Sequence, residues 1–386
     1  MISLSPRFAT VMSVLTVCIL PMFLLAALPS RLSGVLDQAW LGVAIAAFWA
    51  SSGLTSVAAG RLVSGRGPRW GFLLSSAGTC AVLLVLCAVR GGRVLFVVAM
   101  VTIGFLYSLA TCAANVVLSE RGPRPGQGLA FSVKQSTVPL AGLVAGVVAA
   151  TLGGDGWRTC LAVAAGLAGL VGLVCSVLPW EAAARAPARG LLSMRNARPL
   201  LVISCGACLG TAAANAFGAF LVSGLVAHGW SEHTGALVLA LGNAVGIGGR
   251  VIAGLLVDKV SSGHFVIICL MLVLGACGLA LLAAGSSVAL VIGMLLMYLA
   301  GWSWPGILQF SVISRQVTDA AQATGIVQVG PFVGGALGPM VFGQLVALDG
   351  YPQAWIVAAV SAALAALVVF TGGRVLDGHG AGLSAS

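Results

Sequence analysis

Runs of apolar residues recur along the whole chain, and short polar or charged connections separate each run from the next. A helix needs about 20 consecutive apolar residues to cross the hydrocarbon core of a bilayer, and each run is close to that length. Twelve runs therefore predict twelve transmembrane helices and an all-α membrane protein. Their approximate extents are 8–28, 39–59, 71–89, 94–118, 129–152, 159–178, 200–227, 236–256, 265–284, 288–312, 323–348 and 354–371.

The composition agrees with this fold class, because only 7% of the 386 residues are charged, whereas a soluble domain carries about 25%. The net charge of +10 does not indicate nucleic-acid binding, since no basic stripe with interleaved aromatic residues is present. All ten cysteines fall inside apolar runs, which argues against a disulfide framework. Cys205 and Cys208 form a CxxC pair without further metal ligands in the same run. We expect neither a metal nor a cofactor.

Basic residues are distributed unequally between the two sets of connections. With the N-terminus inside, the opposite side of the membrane holds only Arg31, Arg90, Arg93 and Arg158. The cytoplasmic side then holds Arg7, Arg61, Arg66, Arg69, Arg121, Arg124, Arg185, Arg189, Arg195, Arg198, Lys259, Arg315 and Arg374. This positive-inside bias predicts a multi-pass protein of the cell inner (plasma) membrane with both termini in the cytoplasm.

The longest polar connection lies between the sixth and seventh predicted helices and divides the chain into two halves. We expect an N-terminal six-helix half at 1–178, a cytoplasmic central loop at 179–198, a C-terminal six-helix half at 199–372 and a cytoplasmic tail at 373–386. A repeat relates the halves: GRLVSGRGPR starts at residue 60 and GLLVDK starts at residue 254, an offset of 194 (254 − 60).

With these two loops the sequence resembles the major facilitator superfamily of secondary transporters, over nearly the whole chain. The C-half loop matches the family pattern at Gly254, Leu256, Asp258 and Lys259, whereas the N-half loop has Ser64 where the acid is expected. In that family the loop acid and its basic neighbours govern conformational switching. The resemblance therefore implies that conformational gating involves Gly60, Arg69, Gly254, Asp258 and Lys259.

A narrower resemblance concerns the substrate. GGRVIAGLLVDK at 248–259 is similar to the eighth helix of the oxalate/formate antiporter and monocarboxylate-transporter groups, where an arginine binds the substrate carboxylate. This implies the same role for Arg250. GWR at 156–158 and KQSxxP at 134–139 resemble bacterial transporters of cyanate and organic anions.

Two cations, Lys134 and Arg250, lie inside predicted helices, where a charge costs about 2.5–3.5 kcal/mol near the helix centre. One explanation is that both side chains extend along their own stems to the cytoplasmic head groups. Helical spacing favours a second explanation, because Arg250 shares one small and polar face with Asn243, Gly246 and Gly254. The sequence therefore predicts that Lys134 and Arg250 face one pathway from opposite halves.

The positions of the acids support this prediction. All nine fall in loops or at helix ends, so none is predicted to neutralise Lys134 or Arg250 within the membrane. The nine acids are Asp37, Glu120, Asp155, Glu181, Glu232, Asp258, Asp319, Asp349 and Asp377. An anionic ligand is then the natural counter-ion for the two cations. The same distribution argues against proton coupling through an intramembrane acid. It favours anion exchange, or symport in which the proton travels on the substrate.

Polar stripes mark three further predicted helices: Tyr107, Thr111 and Asn115 on the fourth, Ser204, Cys208, Thr211 and Asn215 on the seventh, and Tyr298, Trp302, Pro305 and Gln309 on the tenth. In the resembling fold, helices one, four, seven and ten surround the substrate. Hydrogen bonding between helices is the alternative role.

The repeat offset places Gln328 opposite Lys134. The predicted substrate-binding residues are Lys134, Arg250, Asn243, Asn215, Tyr107, Gln328 and Trp302.

The predicted function is secondary active transport of a small organic anion by alternating access, with a co- or counter-transported ion and with the resemblance implying a monomer. A drug or metabolite exporter of the same fold is the alternative, since GPFVGG at 330–335 resembles an exporter motif. Gly330, Gly334 and Gly338 also predict a surface for close helix packing. A membrane enzyme is disfavoured, because neither GxSxG nor HExxH is present. A channel is disfavoured by the two-half organisation.

Overall fold

The structure is a computed structural model that describes residues 6–89, 92–119, 127–152, 154, 156–178, 194–260, 262–315 and 320–383. Within these residues the chain forms fifteen α-helices and one π-helical segment, Met297–Gly301. The α-helices are α1 (Pro6–Ala27), α2 (Pro29–Leu32), α3 (Gln38–Arg66), α4 (Pro68–Ala88), α5 (Arg93–Ser119), α6 (Gln127–Gln135), α7 (Thr137–Leu152), α8 (Trp157–Val177), α9 (Met194–Ala227), α10 (Glu232–Lys259), α11 (His264–Ala284), α12 (Ser287–Leu296), α13 (Pro305–Arg315), α14 (Ala320–Asp349) and α15 (Tyr351–Leu383).

These elements contain 12 spans that are long and apolar enough to cross a membrane, which confirms the twelve predicted helices. Several boundaries differ from the prediction. α9 begins at Met194, inside the predicted central loop, and α15 continues to Leu383, through most of the predicted tail. The remainder of the central loop, 179–193, lies outside the described residues. An even number of spans brings the two described chain ends, Pro6 and Leu383, to the same face of the bundle, here called the terminal face.

The fifth and tenth spans are each built from two helices. Ser136 separates α6 from α7, and its N–H contacts the carbonyl oxygens of Ser132 and Val133 at 3.1 and 3.0 Å. In the tenth span the π-helical segment follows α12, and a turn at 302–304 leads into α13, which begins at Pro305. Proline has no N–H and clashes with the preceding helical turn, so it interrupts the hydrogen-bond ladder.

The two halves contact each other through small residues. α3 packs against α14, and α6 and α7 both pack against α10. A Cβ atom added to Gly42 would lie 2.5 Å from the carbonyl oxygen of Pro339, and one added to Gly146 would lie 2.6 Å from the Ala236 carbonyl oxygen. The backbones therefore meet directly at these points, as is typical of helix packing in lipid.

Glycines also hold the C-terminal half together. Gly330, Gly334 and Gly338 lie against the α9 backbone at Ser204, Cys208 and Ala212, respectively, which confirms the packing surface predicted for the eleventh span. The Gly330 N–H also donates to the Ser204 hydroxyl at 2.9 Å. Close approach of this kind leaves no room for a side chain.

The α9–α14 contact predicts a specific sensitivity. Replacing Gly334 with alanine forces its methyl group into the Cys208 carbonyl, so we expect a loss of about 1–3 kcal/mol of stability. The loss should appear as a lower thermal unfolding temperature in detergent. Gly166→Ala is the matched control, because a Cβ there meets open space at the surface of α8. Equal unfolding temperatures for the two variants would contradict the packing argument.

Candidate functional site

Arg250 lies on α10 at the junction of the two halves and is only 3% exposed. Its Nε and Nη2 donate to the carbonyl oxygen of Trp302 at 3.2 and 2.6 Å. Its Nη1 donates to the carbonyl oxygen of Gln135 at 2.5 Å. One acceptor belongs to the C-terminal half and the other to the N-terminal half, so a single guanidinium joins both halves.

The two helix interruptions make these acceptors available. In a continuous helix the Gln135 carbonyl would accept from the N–H four residues later, but that residue is Pro139, which has none. Trp302 lies in the turn between the π-helical segment and α13. Carbonyls at such interruptions need another donor when they are buried. Arg250 supplies it at both.

The charge of Arg250 has no carboxylate partner among the described residues, since its recorded hydrogen bonds go to neutral carbonyls. A guanidinium has five N–H donors, and three of them form these bonds. Its Cζ also lies 5.8 Å from the centre of the Trp302 ring. With 3% exposure the side chain does not extend to the surface of the bundle, which argues against the head-group explanation.

Lys134 lies in the last turn of α6 and is 8% exposed. Its position thus also argues against an extension to the surface. The next residue is Gln135, whose carbonyl accepts a hydrogen bond from Arg250. The structure therefore brings Arg250 of one half to the peptide unit immediately after the buried lysine of the other.

Aromatic rings surround the Arg250 region on two sides. Trp302 is 4% exposed, and its ring centre lies 5.8 Å from that of Phe23 in the N-terminal half. Phe217 and Tyr298 of the C-terminal half lie 6.2 and 6.0 Å from the same ring. Trp302 therefore fills the space between the halves beside the guanidinium. Neither Phe23 nor Phe217 belongs to the polar stripes of the sequence, so pattern reasoning missed both.

Tyr107 forms a second aromatic group in the N-terminal half. Its ring lies 5.4 Å from Phe48 and 6.1 Å from Trp49. The indole Nε1 of Trp49 is buried without a hydrogen-bond partner among the described residues. Asn215 of α9 approaches the same place, because a Cβ added to Gly335 would contact both Trp49 and the Asn215 amide.

Asn243 and Gln328 have partners of their own. Asn243 is fully buried against Gly142 of α7, and its Nδ2 donates to the Leu239 carbonyl at 2.7 Å. Its Oδ1 has no hydrogen-bond partner among the described residues. Gln328 accepts a hydrogen bond of 2.8 Å from Gln309, which ties α14 to α13. The side chain of Asn115, also in the predicted stripes, lies outside the description.

The predicted gating residues divide between two places. Asp258 accepts a hydrogen bond of 3.1 Å from the backbone N–H of Leu129, so an acid of the C-terminal half caps the first turn of α6. Next to it, a Cβ on Gly254 would lie 2.8 Å from the Ser132 hydroxyl. Lys259 follows at the exposed end of α10. These three residues therefore lie where the halves meet at the terminal face.

The N-half copy of the loop makes different contacts. Arg69 donates to the Ser176 carbonyl at 2.6 Å, which joins α4 to α8 inside the same half. A Cβ atom added to Gly60 would lie 4.0 Å from the Cys112 sulfur. The side chain of Ser64 lies outside the description. Of the two loops, it is thus the C-half copy, which retains its acid, whose described hydrogen bond reaches the other half.

Several solved structures share this architecture. The nucleoside transporter NupG superimposes with a TM-score of 0.71 at 15% identity, covering 94% of this chain and 97% of that one. A bacterial homologue of the human lysosomal transporter Spinster, in an inward-facing and occupied conformation, gives 0.74 at 17%, covering 95% and 96%. The human organic anion transporter MFSD10 gives 0.70 at 16%, covering 95% and 100%. At these identities the likeness concerns the fold.

No curated protein sequence matches the chain. The family model described as Major Facilitator Superfamily matches residues 8–339, which is most of the chain. This agrees with the twelve spans and with the two halves that meet through α3–α14 and α7–α10. The chain belongs to the major facilitator superfamily of membrane transporters.

Proposed function

We propose that this transporter moves a small organic anion across the membrane by alternating access, with Arg250 binding the carboxylate. The observation that carries the proposal is the burial of the guanidinium at the junction of the halves, with neutral carbonyls as its acceptors. Carbonyl dipoles satisfy hydrogen-bond geometry, but they do not neutralise a full charge in a medium of low dielectric. A carboxylate does both, and guanidinium pairs with it in bidentate fashion.

Lys134 supports an anion more than a neutral ligand, since it adds a second buried cation beside Gln135. Eight of the nine acids fall in connections or at helix ends of the sequence, and Asp377 follows the last span, Tyr351–Leu376, so the proposed coupling is anion exchange or symport of a protonated substrate. Both termini are proposed to lie in the cytoplasm of a plasma-membrane protein that works as a monomer. The resemblance of 248–259 to the oxalate/formate and monocarboxylate groups gives further support.

The hydrogen bonds of Arg250 suggest how binding of the anion is coupled to rocking of the two halves. An anion competes with the Gln135 and Trp302 carbonyls for the same N–H groups, and a carboxylate adds a full negative charge and a bidentate geometry that neutral carbonyls lack. Loss of the Gln135 bond removes a contact between the halves. We therefore propose that the bound anion replaces an inter-half bond and so lowers the barrier to rocking of the two halves.

A second candidate, export of a drug or metabolite, is favoured by the aromatic surroundings of the site. Trp302, Phe23 and Phe217 form one group of rings, and Tyr107 and Trp49 belong to another. Such surfaces suit a large apolar ligand. The related folds fit either candidate, because one belongs to an organic anion transporter and another to a nucleoside transporter.

Ligand-induced stabilisation separates the two candidates. The purified protein would be heated with mono- and dicarboxylates, cyanate or lipophilic cations, and its unfolding temperature recorded. A carboxylate should stabilise wild type. Arg250→Gln should weaken the affinity for that carboxylate at least about tenfold, because truncating one member of a buried charge pair costs about 2–5 kcal/mol. Lys134→Gln should weaken it as well, by removing the second cation.

Arg374→Gln is the control, since Arg374 is an exposed arginine near the end of α15, stacked over Phe370 at 5.5 Å. It should respond like wild type. Arg250→Lys keeps the charge and loses the forked geometry, so it should fall between wild type and Arg250→Gln. If only lipophilic compounds stabilise the protein, and the Arg250 and Lys134 variants respond like wild type, the anion proposal is wrong and export takes its place.

The Asp258 cap predicts how easily the terminal face opens. In a variant whose native cysteines are replaced by alanine, Ser132→Cys places a thiol between Gly254 and Gly306. Adding Asp258→Ala removes the cap on α6 and should raise the maleimide labelling rate about fivefold, which corresponds to about 1 kcal/mol of capping energy.

Asp258→Asn retains an oxygen acceptor for the Leu129 N–H and should raise the labelling rate less than Asp258→Ala does. Identical labelling rates with aspartate, asparagine and alanine at this position would show that the cap does not hold the two halves together.

A further inference from the structure

A groove of about 720 Å³ opens in the N-terminal half, away from the Arg250 region. It lies between the connection that precedes α3 and the first residues of α5 and α8. Gly34 and Gly92 form part of its wall, and the charged side chains of its described lining are Asp37, Arg93 and Arg158. Because α3, α5 and α8 all begin here, the groove lies at the face opposite the terminal face.

Both arginines of the groove are stacked on tryptophans. The Arg93 guanidinium carbon lies 4.9 Å from the Trp40 ring centre, and that of Arg158 lies 4.3 Å from the Trp157 ring centre. Stacking occupies the face of a guanidinium and leaves the N–H groups at its edges available to an acceptor. Neither guanidinium forms a hydrogen bond with any residue that the structure describes.

The acid of the groove already has a partner. An Asp37 carboxylate oxygen accepts from the backbone N–H of Trp40 at 2.9 Å, where it caps the first turn of α3. The groove therefore presents two guanidinium groups against one carboxylate that is engaged with backbone. Its described lining is complementary to an anion.

An apolar stripe leads away from the groove along α5. Val94 and Val98 are 65% and 54% exposed, and Val101 is 44% exposed. In a membrane-spanning helix such side chains face acyl chains. Trp40 and Trp157 beside the groove are of the residue type that concentrates at the level of the head groups. A ligand that uses all these features has an anionic head and apolar tails.

We propose that the groove binds the head group of an anionic phospholipid, with the phosphate between Arg93 and Arg158 and an acyl chain along Val94, Val98 and Val101. A dissolved anion would use the arginines but not the valine stripe. The site is independent of Arg250, and bound lipid would tie together the starts of α3, α5 and α8. The lipid thus stabilises the N-terminal half at this face.

Lipid binding to the full-length protein tests the proposal. Native mass spectrometry and thermal unfolding in detergent would compare phosphatidylglycerol with phosphatidylcholine of the same chains, and both with inorganic phosphate. The affinity of wild type for phosphatidylglycerol should exceed its affinity for phosphatidylcholine at least about fivefold. An arginine near an anionic surface contributes about 1 kcal/mol, which corresponds to about that factor. Replacing both arginines by glutamine should reduce the preference to about one.

Arg66→Gln is the matched control, because Arg66 stacks on Trp70 at 4.6 Å in the same manner but does not line the groove. It should keep the wild-type preference. The double variant Arg93→Lys and Arg158→Lys changes the same two positions but retains both charges, so it should retain most of the preference. It thereby separates the loss of charge from a loss of folding in the double glutamine variant. Arg250→Gln should also retain it, which separates this site from the proposed transport site.

Three results would overturn the proposal. The first is an equal preference in wild type and in the double glutamine variant. The second is an Arg66→Gln variant that loses as much preference as the double variant. The third is stabilisation by inorganic phosphate that equals stabilisation by phosphatidylglycerol, which would assign the groove to a dissolved anion and not to lipid.

Discussion

The centre of the molecule depends on one buried guanidinium that is shared between two interrupted helices. Arg250 stabilises the free carbonyls of Gln135 and Trp302, and in turn those carbonyls hold its donors in place. Without the interruptions there would be no acceptors at this depth. Without Arg250 the buried Trp302 carbonyl would lose its donor, which costs about 1–3 kcal/mol, and the part-buried Gln135 carbonyl would lose the same donor. Arg250 therefore links α6 to the turn before α13 through hydrogen bonds, in addition to the direct contact of Gly306 with Ser132.

The two halves are related in sequence but contribute unequally to the closure of the terminal face. Asp258 caps α6 across the interface, and Gly254 allows α6 to approach α10 at Ser132. The equivalent loop of the N-terminal half has serine at position 64 in place of the acid. Its Arg69 contacts α8 of the same half. The described contacts of the C-half loop with the other half therefore lie on the α6–α10 side, which is also the side that Arg250 joins.

The fold was predictable from the sequence because lipid imposes a length and a polarity on each span, and both are visible in one dimension. The ends of α9 and α15 were not, since helices continue past the bilayer where hydropathy no longer marks them. The interruption at Ser136 was also missed, although Pro139 follows Gln135 by four residues. Reading that spacing as a freed carbonyl would have identified the acceptor of Arg250.

Polar stripes predicted the candidate site only in part, because a sequence pattern does not distinguish a residue that faces a pathway from one that pairs with a neighbour. Arg250 does contact Trp302, and its other acceptor, Gln135, directly follows Lys134. Gln328, however, accepts a hydrogen bond from Gln309. The pairing depends on how α13 packs against α14, which is a tertiary contact that no local sequence pattern reveals.

The same contact between arginine and tryptophan recurs with different consequences in this chain. Arg93 on Trp40 and Arg158 on Trp157 have exposed guanidinium groups, so water or head groups solvate their charge. Arg250 near Trp302 is 3% exposed, so only protein or a ligand reaches it. Since a stacked ring contributes about 0.5–2 kcal/mol against a much larger loss of solvation, stacking does not compensate the burial of Arg250. Burial, and not the aromatic contact, is what gives this arginine its proposed role in binding an anion.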